Sequence, residues 1–300
     1  MENRHFFTAI ITISIVSLLF SACFLTNDTK RNDFDFQAHR GGKGLMPENT
    51  IPAMLDAINR NVTTLEMDLY VSKDKQVIVA HDAYFNPKFA TTPEGDSLSS
   101  RNRLFYSMNY DSIKRYDVGM RFIPEFPRQK KMPVSVPLLS DLIDQTEAFS
   151  VSKKRNIRYN IEIKSNSKKD GVEHPVPDEY VDLVINLLKN KDIMERVTIQ
   201  SFDMRPLRVI NRRYPDVQLS LLVHKDADKV EENLTQLGFI PYSYNPQYKY
   251  VTEDLVKLCH AKKMKVIPWT VNTEEEIKAI MKLGVDGIIS DYPDLFKLEK

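Results

Sequence analysis

Short apolar runs rich in β-branched residues recur along the chain, and helical patterns separate most of them. The runs predict eight strands, at Phe34–His39, Leu65–Val71, Arg158–Lys164, Val197–Phe202, Gln218–Val223, Phe239–Tyr244, Lys265–Val271 and Gly287–Ser290. Between them, apolar residues recur every three or four positions, for example over residues 180–188 and 277–283. Strands that alternate with helices usually pair in parallel, because each helix returns the chain to the start of the next strand.

Eight parallel strands fit a closed (β/α)8 barrel, the TIM-barrel architecture, which usually takes roughly 250 residues. The chain has 300 residues, which is ample for such a domain. The alternative is an open, doubly wound sheet. No Gly-x-Gly-x-x-Gly motif follows the first predicted strand, which argues against a dinucleotide site there. We therefore predict the barrel.

One region interrupts the alternation of strands and helices. Gln76–Ala80 predicts an extra short strand beside the end of strand two, and the stretch of about 84–136 then shows little periodicity. A structureless loop of that length is uncommon in a compact domain. We therefore predict a small subdomain inserted after strand two, over the barrel mouth. It is either a decorative insertion or a lid that selects part of a substrate, and both remain open.

The N-terminal stretch differs from the rest of the chain. Phe6 to Phe20 is an uncharged apolar run of 15 residues, which is short for a membrane span but typical of a signal peptide. It ends in Leu-Phe-Ser-Ala-Cys, which resembles a bacterial lipoprotein cleavage site. We predict a signal peptide over 1–22, a lipidated Cys23, a polar tether over 23–33 and a barrel domain over 34–300.

This interpretation predicts an exported protein that is lipid-anchored at the cell envelope, facing either the periplasm or the exterior. The alternatives are an ordinary secreted protein and an uncleaved anchor helix. If Cys23 carries lipid, Cys259 is the one cysteine left, so no disulfide is expected. Cys259 lies in an apolar helical pattern and is predicted to be a packed residue.

Overall charge is nearly balanced. The 42 basic and 41 acidic residues give a formal net charge of +1. Such a balance provides no general attraction to nucleic acid or to an anionic membrane surface. Any recognition of an anion must therefore come from a local site.

Acidic residues cluster at the ends of two predicted strands. Glu66 and Asp68 are two positions apart in strand two, so both side chains point to the same face, and Glu162 lies in the next barrel strand. Catalytic groups of β/α barrels lie at these strand ends. Three carboxylates form a hard oxygen site suited to Mg²⁺ or Ca²⁺. Alternatively, they are ordinary acids paired with Arg40 and Lys164.

Basic and titratable residues follow the same strand ends. Beside a metal, Arg40 and Lys164 would hold a phosphate group, Arg with bidentate geometry and Lys as a point charge. His39 and His81 each close a short apolar strand next to acidic or basic neighbours. A pair of such histidines suits general acid and base catalysis near neutral pH, although a lone histidine there is more often structural.

The segment Pro47-Glu48-Asn49-Thr50 leads into a predicted helix. Asn49 or Thr50 is expected to cap that helix, because their side-chain oxygens can accept its free N–H groups, and for both residues this role is preferred over one in the site. Glu48 is a candidate to point inward, toward a substrate or metal.

Taken in order, these motifs resemble the glycerophosphodiester phosphodiesterases. The matching segments are His39-Arg40-Gly41, residues 47–50, Glu66-Met67-Asp68, His81-Asp82, Glu162-Ile163-Lys164, residues 200–202, residues 269–272 and residues 286–293. The likeness extends from about Phe34 to the C-terminus, apart from the insertion. It implies a β/α barrel with an insertion after the second strand, and hydrolysis of a glycerophosphodiester to glycerol 3-phosphate and an alcohol.

The resemblance also implies roles for individual residues. By motif, Glu66, Asp68 and Glu162 would bind one divalent cation, and His39 and His81 would be the acid–base pair. Arg40 and Lys164 would hold the phosphate oxygens, Glu48 would contact the substrate, and Trp269 would form part of the pocket wall. The alcohol that leaves, and whether water or the glycerol hydroxyl attacks, remain open.

Two other classes are compatible with this sequence. A phosphatidylinositol-type phospholipase C also uses two histidines on a related barrel, and would act on membrane lipid. A non-catalytic binding protein could retain the same fold, but would be expected to lack a histidine or a metal-binding acid. The motifs here lack neither.

Overall fold

The computed structural model describes residues 34–296. The strands are β1 (Asp35–Ala38), β2 (Thr64–Val71), β3 (Val77–Val79), β4 (Arg158–Ile163), β5 (Val197–Ser201), β6 (Gln218–Val223), β7 (Ser243–Pro246), β8 (Lys265–Val266) and β9 (Gly287–Ser290). The helices are α1 (Ile51–Asn59), α2 (Tyr110–Ile113), α3 (Leu139–Ser152), α4 (Pro177–Asn190), α5 (Met204–Arg213), α6 (Val230–Leu237), α7 (Glu253–Ala261) and α8 (Glu274–Lys282). The predicted signal peptide, Cys23 and the tether lie outside the described residues.

Eight parallel strands form the barrel. They pair in the order β8-β7-β6-β5-β4-β2-β1-β9, and β3 pairs antiparallel with β2. Backbone hydrogen bonds link the two ends of this order: Asp286 donates to Val266 O at 3.0 Å, and Ile289 donates to Pro268 O at 2.9 Å. The predicted (β/α)8 barrel is therefore confirmed.

Two strands differ by more than one residue from their predicted bounds, and proline explains both differences. The predicted strand Phe239–Tyr244 is found at Ser243–Pro246, because Pro241 lies in the earlier stretch and has no N–H for the ladder. The predicted strand Lys265–Val271 ends at Val266, two residues before Pro268. The chain nevertheless continues along the barrel wall, where Trp269 N donates to Pro246 O at 3.1 Å.

Helix starts follow ordinary capping chemistry. Thr50 accepts a hydrogen bond from Ala53 N and caps α1, as predicted. Thr273 and Glu276 form a reciprocal capping box at the start of α8. In α7, Cys259 is fully buried, as predicted. Within residues 34–296, no helix is long and apolar enough to cross a membrane.

The segment between β3 and α3 has an apolar cluster of its own. Phe85 stacks on Tyr116 with ring centroids 4.0 Å apart, and meets Phe105 edge-on at 4.8 Å. The cluster continues into Ile78 of β3, so the segment is fixed to the barrel by packing. Its aromatic residues form a wall beside His81, at the barrel mouth.

Candidate active site

Three carboxylates meet at the mouth of the barrel. Glu66 and Asp68 share the inner face of β2, and Glu162 on β4 lies in register with Asp68. One oxygen from each of the three lies within 4.8 Å of the others, and all three side chains are buried. The three carboxylates therefore lie together, as the alternation of side chains along the strands predicted.

The electrostatics of this cluster suit a bound cation. Burial and the neighbouring Asp68 raise the pKa of Glu66, and burial also raises the pKa of Glu162. Burial opposes ionisation of Asp68 too, but Arg40 and Lys164 hold its pKa well below the usual value. Within residues 34–296, no group donates a hydrogen bond to the buried Oδ1 of Asp68. Crowded buried carboxylates, one of them with an oxygen that accepts no hydrogen bond, fit a divalent cation.

Arg40 organises this cluster through its backbone and its side chain. Its φ of 52° is left-handed, which aims its N–H at Glu66 Oε2, 2.7 Å away. Its guanidinium donates to Glu48 Oε1 at 3.0 Å and lies 3.2 Å from Asp68 Oδ2. The next residue must be glycine, because a Cβ on Gly41 would lie 2.7 Å from Ala53 Cβ.

Lys164 is the second cation of the site. Its Nζ lies 3.0 Å from Glu162 Oε1 and 3.6 Å from Asp68 Oδ1, and its side chain is mostly buried. The structure thus places Arg40 and Lys164 beside the carboxylates, as both sequence interpretations required. Glu48, by contrast, contacts Arg40 and not the carboxylate cluster.

Two amides beside the cluster were not assigned to the site from sequence. Asn49 was expected to cap α1, but its Nδ2 donates to Asp68 Oδ2 at 2.9 Å and its Oδ1 accepts from Asp68 N at 3.2 Å. That expectation was wrong because Asn49 adopts a left-handed φ of 56°, which turns its side chain toward β2. Gln200 Nε2 donates to Glu66 Oε1 at 2.9 Å.

His39 is oriented by a carboxylate that sequence reasoning missed. Its Nδ1 lies 2.5 Å from Asp291 Oδ1. Asn272 Nδ2 donates to Asp291 Oδ2 at 2.8 Å, while Asn272 Oδ1 accepts from Asp291 N at 2.9 Å. Burial lowers the pKa of His39 to about 4 against the opposing effect of Asp291, so the imidazole is neutral at pH 7. A neutral ring that donates through Nδ1 leaves Nε2 as a free base.

His81 has a more open environment. Its Nδ1 lies 3.2 Å from Asp82 Oδ1, and about a third of its side chain is exposed. Asn86 Nδ2 holds the other oxygen of Asp82 at 2.7 Å. Each histidine is therefore paired with its own carboxylate, and both face the same cleft.

The cleft has a volume of about 210 Å³. It is lined mainly by polar and charged side chains, which are His39, Arg40, Lys43, Glu66, His81, Glu162, Lys164 and Gln200. Phe202 and Trp269 form an aromatic wall on one side, with ring centroids 5.4 Å apart. Trp269 Nε1 donates to Asn245 O at 2.9 Å, which fixes the indole in that wall.

A smaller pocket adjoins the cleft on the side of His81. Its inner wall comes from the segment between β3 and α3 and is largely aromatic, with Tyr84, Phe85 and Phe89. Glu48 and His81 lie among its polar lining residues. The two histidines thus have different surroundings, one deep and polar and the other next to an apolar recess.

Comparison with known proteins identifies the family. Residues 39–295 match the model of the glycerophosphoryl diester phosphodiesterase family. The chain belongs to this family. A glycerophosphodiester phosphodiesterase of Bacillus altitudinis is 30% identical over 261 residues, covering 86% of this chain and 94% of the relative. Members of this family are phosphoric diester hydrolases, so the chain is an enzyme. The alternative of a non-catalytic binding protein is not supported.

Solved structures agree with the fold. One from Silicibacter pomeroyi, assigned to the same family, has a TM-score of 0.78 and 26% identity, covering 87% of this chain and 91% of its own. A phosphodiesterase of Oleispira antarctica in complex with its product sn-glycerol-3-phosphate has a TM-score of 0.69 and 21% identity, covering 88% and 96%.

Proposed function

We propose that this glycerophosphodiester phosphodiesterase cleaves its substrate to glycerol 3-phosphate and an alcohol with one divalent cation and two histidines. The observation that carries the proposal is the cluster of Glu66, Asp68 and Glu162, two of which, Glu66 and Glu162, line one cleft with His39 and His81. The product named for the Oleispira antarctica structure, sn-glycerol-3-phosphate, supports the same reaction here.

Glu66, Asp68 and Glu162 would hold the cation. A set of oxygen ligands without Cys or His favours Mg²⁺ or Ca²⁺ over Zn²⁺. When bound, such an ion neutralises the negative charge that develops on the phosphoryl oxygens. Arg40 and Lys164 add fixed positive charge at the same place, where burial strengthens its effect.

His39 suits the role of general base. It is neutral at pH 7, and its contact with Asp291 leaves Nε2 free to take a proton from the attacking oxygen. Asp291 also stabilises the imidazolium that forms. His81 then protonates the departing alkoxide, which is a poor leaving group, and Asp82 holds its ring. Acid assistance of this kind is worth roughly 10²–10⁴ in rate.

The aromatic pocket beside His81 suits the leaving group. If His81 is the general acid, the departing alcohol lies on its side of the phosphate, next to Tyr84 and Phe89. The insertion is then a selector of the alcohol, and no longer a decoration of the barrel. Trp269 and Phe202 line the cleft but not the aromatic pocket, so they would contact a different part of the substrate.

We also propose that the enzyme is exported and lipid-anchored through Cys23, with 23–33 as the tether. The support is the signal-like run before Cys23 and the position of His39, the first proposed site residue, 16 positions after that cysteine (39 − 23). All proposed chemistry therefore lies beyond the tether, and the anchor would serve location and not catalysis.

The test compares soluble and membrane substrates. Purified enzyme is incubated with glycerophosphocholine, glycerophosphoglycerol or vesicles of phosphatidylinositol, and glycerol 3-phosphate and inositol phosphates are measured. We expect glycerol 3-phosphate from the soluble diesters. Inositol phosphate from the vesicles, with no turnover of either soluble diester, would establish the phospholipase C alternative.

A further inference from the structure

The barrel interior beside the carboxylates contains a connected series of buried side-chain amides. Interiors of such barrels are usually packed with branched apolar side chains. Here Gln37, Asn160 and Gln200 occupy the interior, and each is at most 3% exposed. We call these three residues the amide ladder. It runs from Asp35, at the start of β1, to Glu66 at the mouth.

The hydrogen bonds of the amide ladder run outward from its centre. Asn160 Nδ2 donates in two directions, to Gln37 Oε1 at 2.7 Å and to Gln200 Oε1 at 2.9 Å. Gln37 Nε2 donates to Asp35 Oδ2 at 2.9 Å. Gln200 Nε2 donates to Glu66 Oε1 at 2.9 Å. A carboxylate thus closes each end.

This directionality fixes the rotation of every amide. An ionised carboxylate only accepts hydrogen bonds, so Gln37 must turn its NH₂ toward Asp35 and its oxygen toward Asn160. Asp35 is itself held by the hydroxyls of Thr63 and Thr64, at 2.7 and 2.6 Å from its Oδ1. Asn160 must then present its NH₂, which leaves Gln200 with its NH₂ toward Glu66. Flipping one amide would oppose two donors or two acceptors.

We propose that the amide ladder positions Glu66 for the cation, with Gln200 in direct contact and Asn160 acting through Gln200. Glu66 has one oxygen held by Gln200 and the other by Arg40 N, so its carboxylate plane is fixed between two donors. Removing such a supporting hydrogen bond typically costs 10–100-fold in metal affinity. The inference rests on the proposed metal site, and adds two positioning residues to it.

The test measures metal affinity directly. Gln200→Met and Asn160→Leu remove the amides at similar volume, and Ser220→Ala removes a buried polar group of the neighbouring strand outside the ladder. Metal-free protein of each variant is titrated with Mg²⁺ and Ca²⁺ by calorimetry. We expect Kd to rise about 10–100-fold for Gln200→Met, to rise for Asn160→Leu, and to stay within threefold for Ser220→Ala.

A double variant tests whether Asn160 and Gln200 affect metal binding through one another or independently. Because Asn160 acts through Gln200, adding Asn160→Leu to Gln200→Met should weaken metal binding no further. At saturating metal, the kcat of the ladder variants should lie within tenfold of the wild-type value. Near-ultraviolet circular dichroism checks folding. If Gln200→Met does not fold, Asn160→Leu against Ser220→Ala still decides the proposal.

Three results would overturn the proposal. They are unchanged metal affinity in both ladder variants, an equal loss in Ser220→Ala, and additive losses in the double variant. A different result would disprove the proposed function and leave the amide ladder to be tested separately. A wild-type protein that binds metal but releases no glycerol 3-phosphate would disprove the reaction, while the affinities would still test the amide ladder.

Discussion

The contact between Asp291 and His39 makes a sharp prediction for Asp291→Asn. Asn272 is locked in one orientation, because its Oδ1 accepts from Asp291 N at 2.9 Å and its Nδ2 must therefore point at the carboxylate. An asparagine at 291 would turn its oxygen toward that Nδ2. Its own NH₂ would then face His39 Nδ1 and force that nitrogen to accept. The proton would move to Nε2, and the base would be lost.

The expected loss follows from the role of the base. General base catalysis is worth roughly 10²–10⁴ in rate, which corresponds to about 3–5 kcal/mol of transition-state stabilisation. We expect kcat for Asp291→Asn to fall within that range, measured by coupled release of glycerol 3-phosphate at saturating metal. Metal affinity should change little, because Asp291 is not among the three converging carboxylates.

A compensating exchange provides the control. In the double variant Asp291→Asn with Asn272→Asp, the new carboxylate at 272 accepts from the amide at 291. That amide can then turn its oxygen back to His39 Nδ1 and restore the productive tautomer. We expect the double variant to recover at least tenfold over the single one. A single variant within tenfold of wild type would refute the assignment of His39 as base.

Three further predictions follow from the proposed site and anchor. A substrate with a nitrophenol leaving group should restore much of the rate of His81→Ala but not of His39→Ala, and equal rescue would remove their separate roles. Because burial raises the pKa of metal-free Glu66, protons compete with metal. The apparent pKa on the acid side of the kcat/KM pH profile should thus fall by up to about one pH unit for each tenfold rise in metal concentration. At saturating metal, it should approach the pKa of His39, about 4, and an apparent pKa independent of metal would contradict this competition. Cys23→Ser should leave an unprocessed precursor on immunoblots, whereas a chain starting at Asn32 should be soluble with unchanged kcat; a lipid-free wild type would exclude the anchor.

Periodicity was enough to predict the acidic cluster. Alternation along a strand puts Glu66 and Asp68 on one face, and parallel pairing brings Glu162 to the same level. For these side chains to meet, β2 and β4 must also be neighbours in register, and Asp68 is paired with Glu162. The barrel itself could be predicted for a similar reason, since the alternation of strands and helices is a local signal repeated along the chain.

The supporting residues could not be predicted, because their partners are set by the closed barrel. Asp291 lies 252 positions after His39, and the two meet only because β9 pairs with β1. Gln200 was visible at a strand end, but its contact with Glu66 depends on two intervening registers. Asn49 was misassigned because a left-handed turn overrides its usual capping preference.

The most direct test of the account is a joint measurement of bound metal and product release. Metal content and release of glycerol 3-phosphate from glycerophosphocholine are followed together during chelation and during restoration with Mg²⁺ or Ca²⁺, for wild type and Glu162→Gln. The account predicts that both quantities fall and return in parallel in wild type, with one ion per chain, and that Glu162→Gln needs far more metal. Full release of glycerol 3-phosphate by protein with no bound metal would contradict it.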